Sequence, residues 1–148
     1  MFILSNFAET LGELMFENNL DGKALGSKVG ISGTTITRYL RGDRYPTVDT
    51  LIMLADYFHC STDFLLGIEK ENYSESYLQA PPFPQQFSVL LEHFGYDNCI
   101  RFSADAHIHE SSIYAWKNGR RAPSVENVVK IAEFFGCTVD SALGRTKL

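Results

Sequence analysis

Apolar positions along this chain recur at helical spacing in short bursts, each opened by a small polar residue or closed by glycine. Phe7, Leu11, Leu14 and Met15 share one face of a helix predicted from Ser5, its expected cap, to about Asn19. Asp21 then predicts a cap for a short helix over about Lys23 to Val29. Gly30-Ile31-Ser32 reads as a tight turn: the glycine takes positive φ, Ile31 points inward and Ser32 caps the next helix. That third helix, about Gly33 to Arg41, buries Ile36 and either Tyr39 or Leu40. Its outer face then carries Gly33, Thr34, Thr37, Arg38 and Arg41, and Gly42 ends it. Pro46 and Thr47 start a fourth helix to about His59 with the stripe Leu51, Leu54, Ala55 and Phe58. Ser61 caps a last short helix, which Gly67 closes.

The same series then runs again. Ile31 to Gly67 falls on Ile108 to Gly144 without a gap, at a constant offset of 77 residues. Ile36, Gly42, Arg44, Pro46, Val48, Ala55, Cys60 and Asp63 return as Ile113, Gly119, Arg121, Pro123, Val125, Ala132, Cys137 and Asp140. A fixed offset means one structural unit used twice. The second half accordingly predicts helices over about Pro84 to Phe94, Cys99 to Ala106 and Glu110 to Asn118. A fourth, capped by Ser124, reaches about Phe135, and a fifth ends at Gly144. Between the halves a polar stretch closes on Ala-Pro-Pro-Phe-Pro, a partly extended linker whose Tyr73 and Tyr77 can pack on a domain. The expected organisation is all-α: five-helix domains at 1–68 and 83–148, joined by 69–82.

Length alone, 148 residues, would suit one domain; the repeat divides it into two small ones. With 45% hydrophobic and 21% charged residues, both halves read as globular. No apolar run approaches the roughly 20 residues of a membrane span. The Met-Phe-Ile-Leu start is too short for a signal peptide and has no basic flank. Three cysteines are present, and Cys60 and Cys137 share one repeat position beside Phe58 and Phe135. That pattern suggests a small buried side chain used twice, not a disulfide or ligand set, and a cytoplasmic location fits. The net charge of −5 runs against phosphate binding, but its distribution matters more. Arg38, Arg41 and Arg44 cluster in the first half, and Lys117, Arg120 and Arg121 in the second. Glu9, Glu13, Glu17, Asp56, Asp63, Glu71 and Glu75 lie elsewhere. The chain is an acidic body with two basic patches.

Two short helices around a glycine turn, the second polar and basic outside, form a helix-turn-helix arrangement. Leu25, Gly30-Ile31-Ser32 and Thr35 to Thr47 resemble the Xre or lambda-repressor/Cro-type DNA-binding family. Leu54 to Phe58, Ser61, Asp63 and Leu65-Leu66-Gly67 continue the likeness. The second copy matches at Ile108, Ile113, Trp116 to Ser124, Ile131 to Gly136 and Leu143-Gly144. Departures are specific. Asp21, Gly22, Leu25 and Gly26 stand where the family often places a threonine-glutamine phosphate clamp followed by leucine and alanine. Asn98, Cys99, Phe102 and Ser103 hold those places in the second copy. There His107 replaces the turn glycine, His109 the capping serine, and Glu110 leads the reading helix.

The resemblance implies that the helix after Ser32 enters the major groove of double-stranded DNA, with Gly33, Thr34, Thr35, Thr37 and Arg38 towards base edges. Arg41 and Arg44 are placed for phosphates, which set register and not sequence. In the second copy Ser111, Ser112 and Tyr114 take groove positions, and Lys117, Asn118, Arg120 and Arg121 backbone ones. Tyr39 and Trp116 read as packing residues. The family's last helix tends to lie at a dimer interface, which nominates Phe64, Leu65 and Ile68; homodimerisation and docking of the two domains are both open. The expected function is a sequence-specific transcriptional regulator whose two domains form an internal pseudo-dimer on an asymmetric site. The alternative is a protein-interaction module whose second domain no longer reads DNA. His107-Ile108-His109-Glu110, near Asp105 and Cys99, matches no specific zinc spacing, so no metal is expected. Protonation of those histidines would add positive charge at the helix start and favour an anion. No catalytic constellation, cofactor motif or small-molecule substrate site stands out, so an enzyme is not expected.

Overall fold

The computed structural model describes residues 3–72 and 76–148. The described residues are all-helical, without strands, and fall into two compact units that part between residues 75 and 76. The first holds α1 (Ile3–Glu17), α2 (Gly22–Val29), α3 (Gly33–Leu40), α4 (Val48–Phe58) and α5 (Thr62–Leu65). The second holds α6 (Phe83–His93), α7 (Cys99–Ala106), α8 (Glu110–Lys117), α9 (Val125–Phe135) and α10 (Val139–Leu143). None of these helices is long and apolar enough to cross a membrane.

Side-chain caps set most boundaries. Asp21, Ser32, Thr47 and Ser61 each accept the backbone N–H three residues on, as do Asn98, Ser124 and Thr138 in the second unit. Each such cap is worth about 1 kcal/mol. The first helix departs from expectation: α1 opens at Ile3, so Ser5 lies within it and not at its cap position, and it stops at Glu17 before Asn19 turns to φ 55°. α6 opens at Phe83, which leaves Pro84 in the first turn, where a missing N–H costs nothing.

The two cores differ in character. In the first, Phe7, Leu11, Leu25, Ile36, Leu51 and Leu54 are buried, and Tyr39 goes inward where Leu40 is only half-buried. Leu14 and Phe58 are half-buried too. Phe102 takes the repeat position of Leu25 and centres an aromatic cluster, stacked on Phe135 at 5.3 Å and edge-on to Phe87 at 5.7 Å. Phe87 in turn meets Trp116 edge-on at 6.0 Å, so offset ring pairs replace aliphatic packing. Cys60 is buried as expected, but Cys137, its repeat partner, is half-buried.

Two further regions complete the fold. Leu65 is fully buried, because the single turn of α5 packs on both α1 and α4 and turns this position inward. Half-buried Phe64 and exposed Ile68 carry what apolar surface remains there. The stretch from Ser76 to Pro82 belongs to the second unit and is held to it: the Leu78 N–H donates to the Arg145 carbonyl at 2.7 Å. Tyr77 packs on the Arg145 guanidinium, 4.2 Å from its ring centroid. Tyr73 lies outside the described residues.

Candidate nucleic-acid interface

In the first unit α2 and α3 pack closely because Gly26 has no side chain. A Cβ there would overlap the Ile31 carbonyl oxygen in the turn. Gly30, at φ 73°, closes α2. Ser32 then starts α3 by accepting the Thr35 N–H at 3.2 Å, and its hydroxyl also shares a 2.9 Å hydrogen bond with the Thr35 hydroxyl. This sorts the expected groove residues. Thr35 is half-buried in the cap, and Gly33 is half-buried against α2, its Cβ position 3.6 Å from the Lys23 backbone. Thr34, Thr37 and Arg38 face solvent, followed by Arg41 and Arg44 beyond the helix end. Thr37 donates its hydroxyl to the Gly33 carbonyl at 2.9 Å, which leaves its methyl and lone pairs outward.

Among the described residues, Arg38, Arg41 and Arg44 make no ion pair. Tyr39 faces inward. Burial raises its phenol above the usual range, while the charge of Arg44 and a hydrogen bond to Thr50 pull the other way. It is a packing residue, as is Trp116, which is buried in the second core. At the front of α2 the Asp21 carboxylate takes the Ala24 N–H at 2.7 Å, so the donor a phosphate would use is occupied by an acid.

The second unit keeps this frame with altered chemistry. His107 stands at φ 56° where the first copy has glycine, a conformation that costs a non-glycine residue roughly 1–2 kcal/mol. His109 caps α8, its Nδ1 accepting the Ser111 N–H at 3.1 Å, with the Ser111 hydroxyl 2.7 Å away. A ring nitrogen thus does here what the Ser32 hydroxyl does in the first copy. His109→Ala is expected to cost the second unit about 1 kcal/mol, with His109→Ser recovering most of it. Urea unfolding followed by Trp116 fluorescence reads both variants, and equal losses would show that the imidazole does not act as a cap.

Of the expected reading residues here, Ser111, Asn118 and Arg120 are exposed, and Tyr114 is 40% exposed. Ser112 is half-buried and accepts from Arg121 Nη2 at 2.9 Å, which ties Arg121 to the reading helix. Lys117 is exposed, its Nζ 3.8 Å from Cys99 Sγ. Glu110 is exposed in the first turn of α8, favourable to the helix dipole but repulsive to phosphate. Sequence reasoning missed Lys130, whose Nζ donates to the His107 carbonyl at 2.9 Å and puts a further cation beside the turn. The available signal was a charge gained at the repeat position of Met53. Among the described residues, no group of three or more histidine, cysteine or acidic side chains is placed to hold a metal.

A helix–turn–helix followed by a basic loop thus occurs in each unit, and a helix-turn-helix family model matches residues 13–65 and again 100–141. The chain belongs to the helix-turn-helix family. Both matches include the second helix of the motif, α3 or α8, and the basic loop after it. Similar proteins are uncharacterized HTH-type transcriptional regulators of Rickettsia conorii and Rickettsia prowazekii. Each is 28% identical over 78 residues, spanning 50% of this chain and 72% and 85% of the respective relative. No solved structure gives a significant match.

Proposed function

We propose that this helix-turn-helix protein is a sequence-specific double-stranded DNA-binding transcriptional regulator, with α3 in the major groove and the second unit as a weaker reader on the same site. One observation carries the reading: among the described residues, Arg38, Arg41 and Arg44 are exposed without an ion pair, in and just after the helix that also exposes Thr34 and Thr37. Cations without a salt-bridge partner are available to phosphate and to guanine, even with Asp43 between Arg41 and Arg44. Arg38 has the reach for a bidentate guanine contact, worth about 1–3 kcal/mol of discrimination, and threonine offers thymine a methyl. Arg41 and Arg44 set register on the backbone. Because α8 begins with Glu110 and presents serines and a tyrosine, the two half-sites differ and the operator is asymmetric.

Selection of bound duplexes from a random pool by the full chain tests this. Arg38→Ala is expected to relax preference at one base pair, a loss of about 1–3 kcal/mol against the preferred base, whereas Arg44→Ala lowers affinity for every sequence alike. No enriched sequence, or identical effects of the two variants, overturns the assignment. Exposed Glu110 favours one competing reading, in which the second unit binds a protein partner and contributes nothing to the operator.

A further inference from the structure

The second unit carries a lock that the first does not repeat. Arg145 is fully buried, and its Nη1 donates to the buried carboxylate of Asp140 at 2.6 Å. Tyr77 covers the guanidinium face, the Leu78 N–H takes the Arg145 carbonyl, and Pro81 lies against Gly144. Gln86 on α6 closes the arrangement by donating to the Ser141 carbonyl at 3.1 Å. In the first unit the repeat position of Arg145 is Ile68, 45% exposed, although the acid persists as buried Asp63. A buried ion pair is weak evidence for stability, since desolvation offsets most of the attraction; its attested use is to hold one arrangement against others. Here the lock holds the end of the segment that joins the two readers.

We propose that the Tyr77–Arg145–Asp140 lock limits the length of the tether between the two readers, so that the chain takes DNA with two recognition elements only within a short maximum separation. This rests on the reading of both units as DNA readers. On the first side the last backbone anchor is Glu69, whose N–H donates to the Asp63 carbonyl at 3.2 Å, and the Asn72 side-chain amide donates to the His59 carbonyl at 3.4 Å further on. From Glu69 to Leu78 are nine residue steps, at most about 30 Å of extended chain. Were the strap loose as far as Phe83, fourteen steps would allow about 48 Å. The lock removes roughly 17 Å of reach, about half of the 34 Å between successive turns of one duplex face. A tether that cannot span a separation contributes no effective concentration there.

The test uses the full chain and its selected DNA. Inserting five base pairs, about half a turn, between the two elements is expected to weaken wild-type binding at least about tenfold. Tyr77→Ala, which uncovers the Arg145 guanidinium and loosens the strap, is expected to lose less than about threefold on the same insertion. A chain with eight added Gly/Ser residues after Asn72 keeps the lock intact and is expected to behave like Tyr77→Ala. Wild type that tolerates the insertion, or a tenfold loss kept by both altered chains, overturns the tether role. A selected site with only one element overturns the two-reader premise itself.

Discussion

Raising salt from about 50 to about 200 mM is expected to weaken binding of the full chain to its selected DNA about 500-fold. Each phosphate neutralised by lysine or arginine contributes about −0.9 to the slope of log affinity against log salt. Under the proposed reading five exposed cations meet phosphates: Arg41 and Arg44 after α3, and Lys117, Arg120 and Arg121 at the end of α8 and beyond it. Together they give a slope near −4.5, whereas the first pair alone gives about −1.8 and a loss of only about 12-fold. The net charge of −5 does not cancel this, because at 0.1 M salt charges beyond about 10 Å are screened and the local patch decides. The measurement therefore separates the two functional readings. Lys117, Arg120 and Arg121 changed together to alanine should reduce the slope from about −4.5 to about −1.8. A wild-type slope already near −2 would mean that the second unit does not touch DNA, and would favour the protein-partner reading.

The repeat made most of this fold legible, because one interpretable copy constrained the other. Caps at Asp21, Ser32, Ser61 and Ser124 stood out as small polar residues ahead of apolar stripes, and glycines marked the turns. What sequence could not give was the use of side chains with two plausible tasks. Thr35 has the spacing of a groove residue, but its hydroxyl is engaged at the cap. His109 stands at the repeat position of a capping serine, and its ring nitrogen takes over that task. Leu65 reads as surface because α5 is too short for periodicity to assign a face. The strap was less accessible still. Its proline and charge read as a partly extended linker with Tyr77 able to pack on a domain, but the residue it meets, Arg145, lies 68 residues on, with no counterpart in the first copy to signal the pairing.

Gly26→Ala is expected to cost the first unit about 3 kcal/mol, the upper end of the range for overpacking, and to abolish sequence preference at the first half-site. The reason is local. The added methyl would overlap a backbone carbonyl, that of Ile31, which has no rotamer by which to withdraw. Relief requires the turn to open, and the turn is what aims α3: Ser32, the residue after Ile31, caps that helix. The second copy shows the other solution to the same contact. Ser103 holds the repeat position of Gly26, and its hydroxyl donates to the Ile108 carbonyl, the counterpart of Ile31, so that turn already accommodates a side chain. Ser103→Ala accordingly removes one hydrogen bond and is expected to cost only about 1 kcal/mol. The chain's one tryptophan, Trp116, lies in the second core and separates the two effects. In urea, Gly26→Ala moves the loss of helicity and leaves the fluorescence midpoint in place, whereas Ser103→Ala shifts the fluorescence. A Gly26→Ala chain within about 0.5 kcal/mol of wild type, the range of an ordinary surface change, would show the first turn to be pliable. The aim of α3 would then depend on something other than this contact.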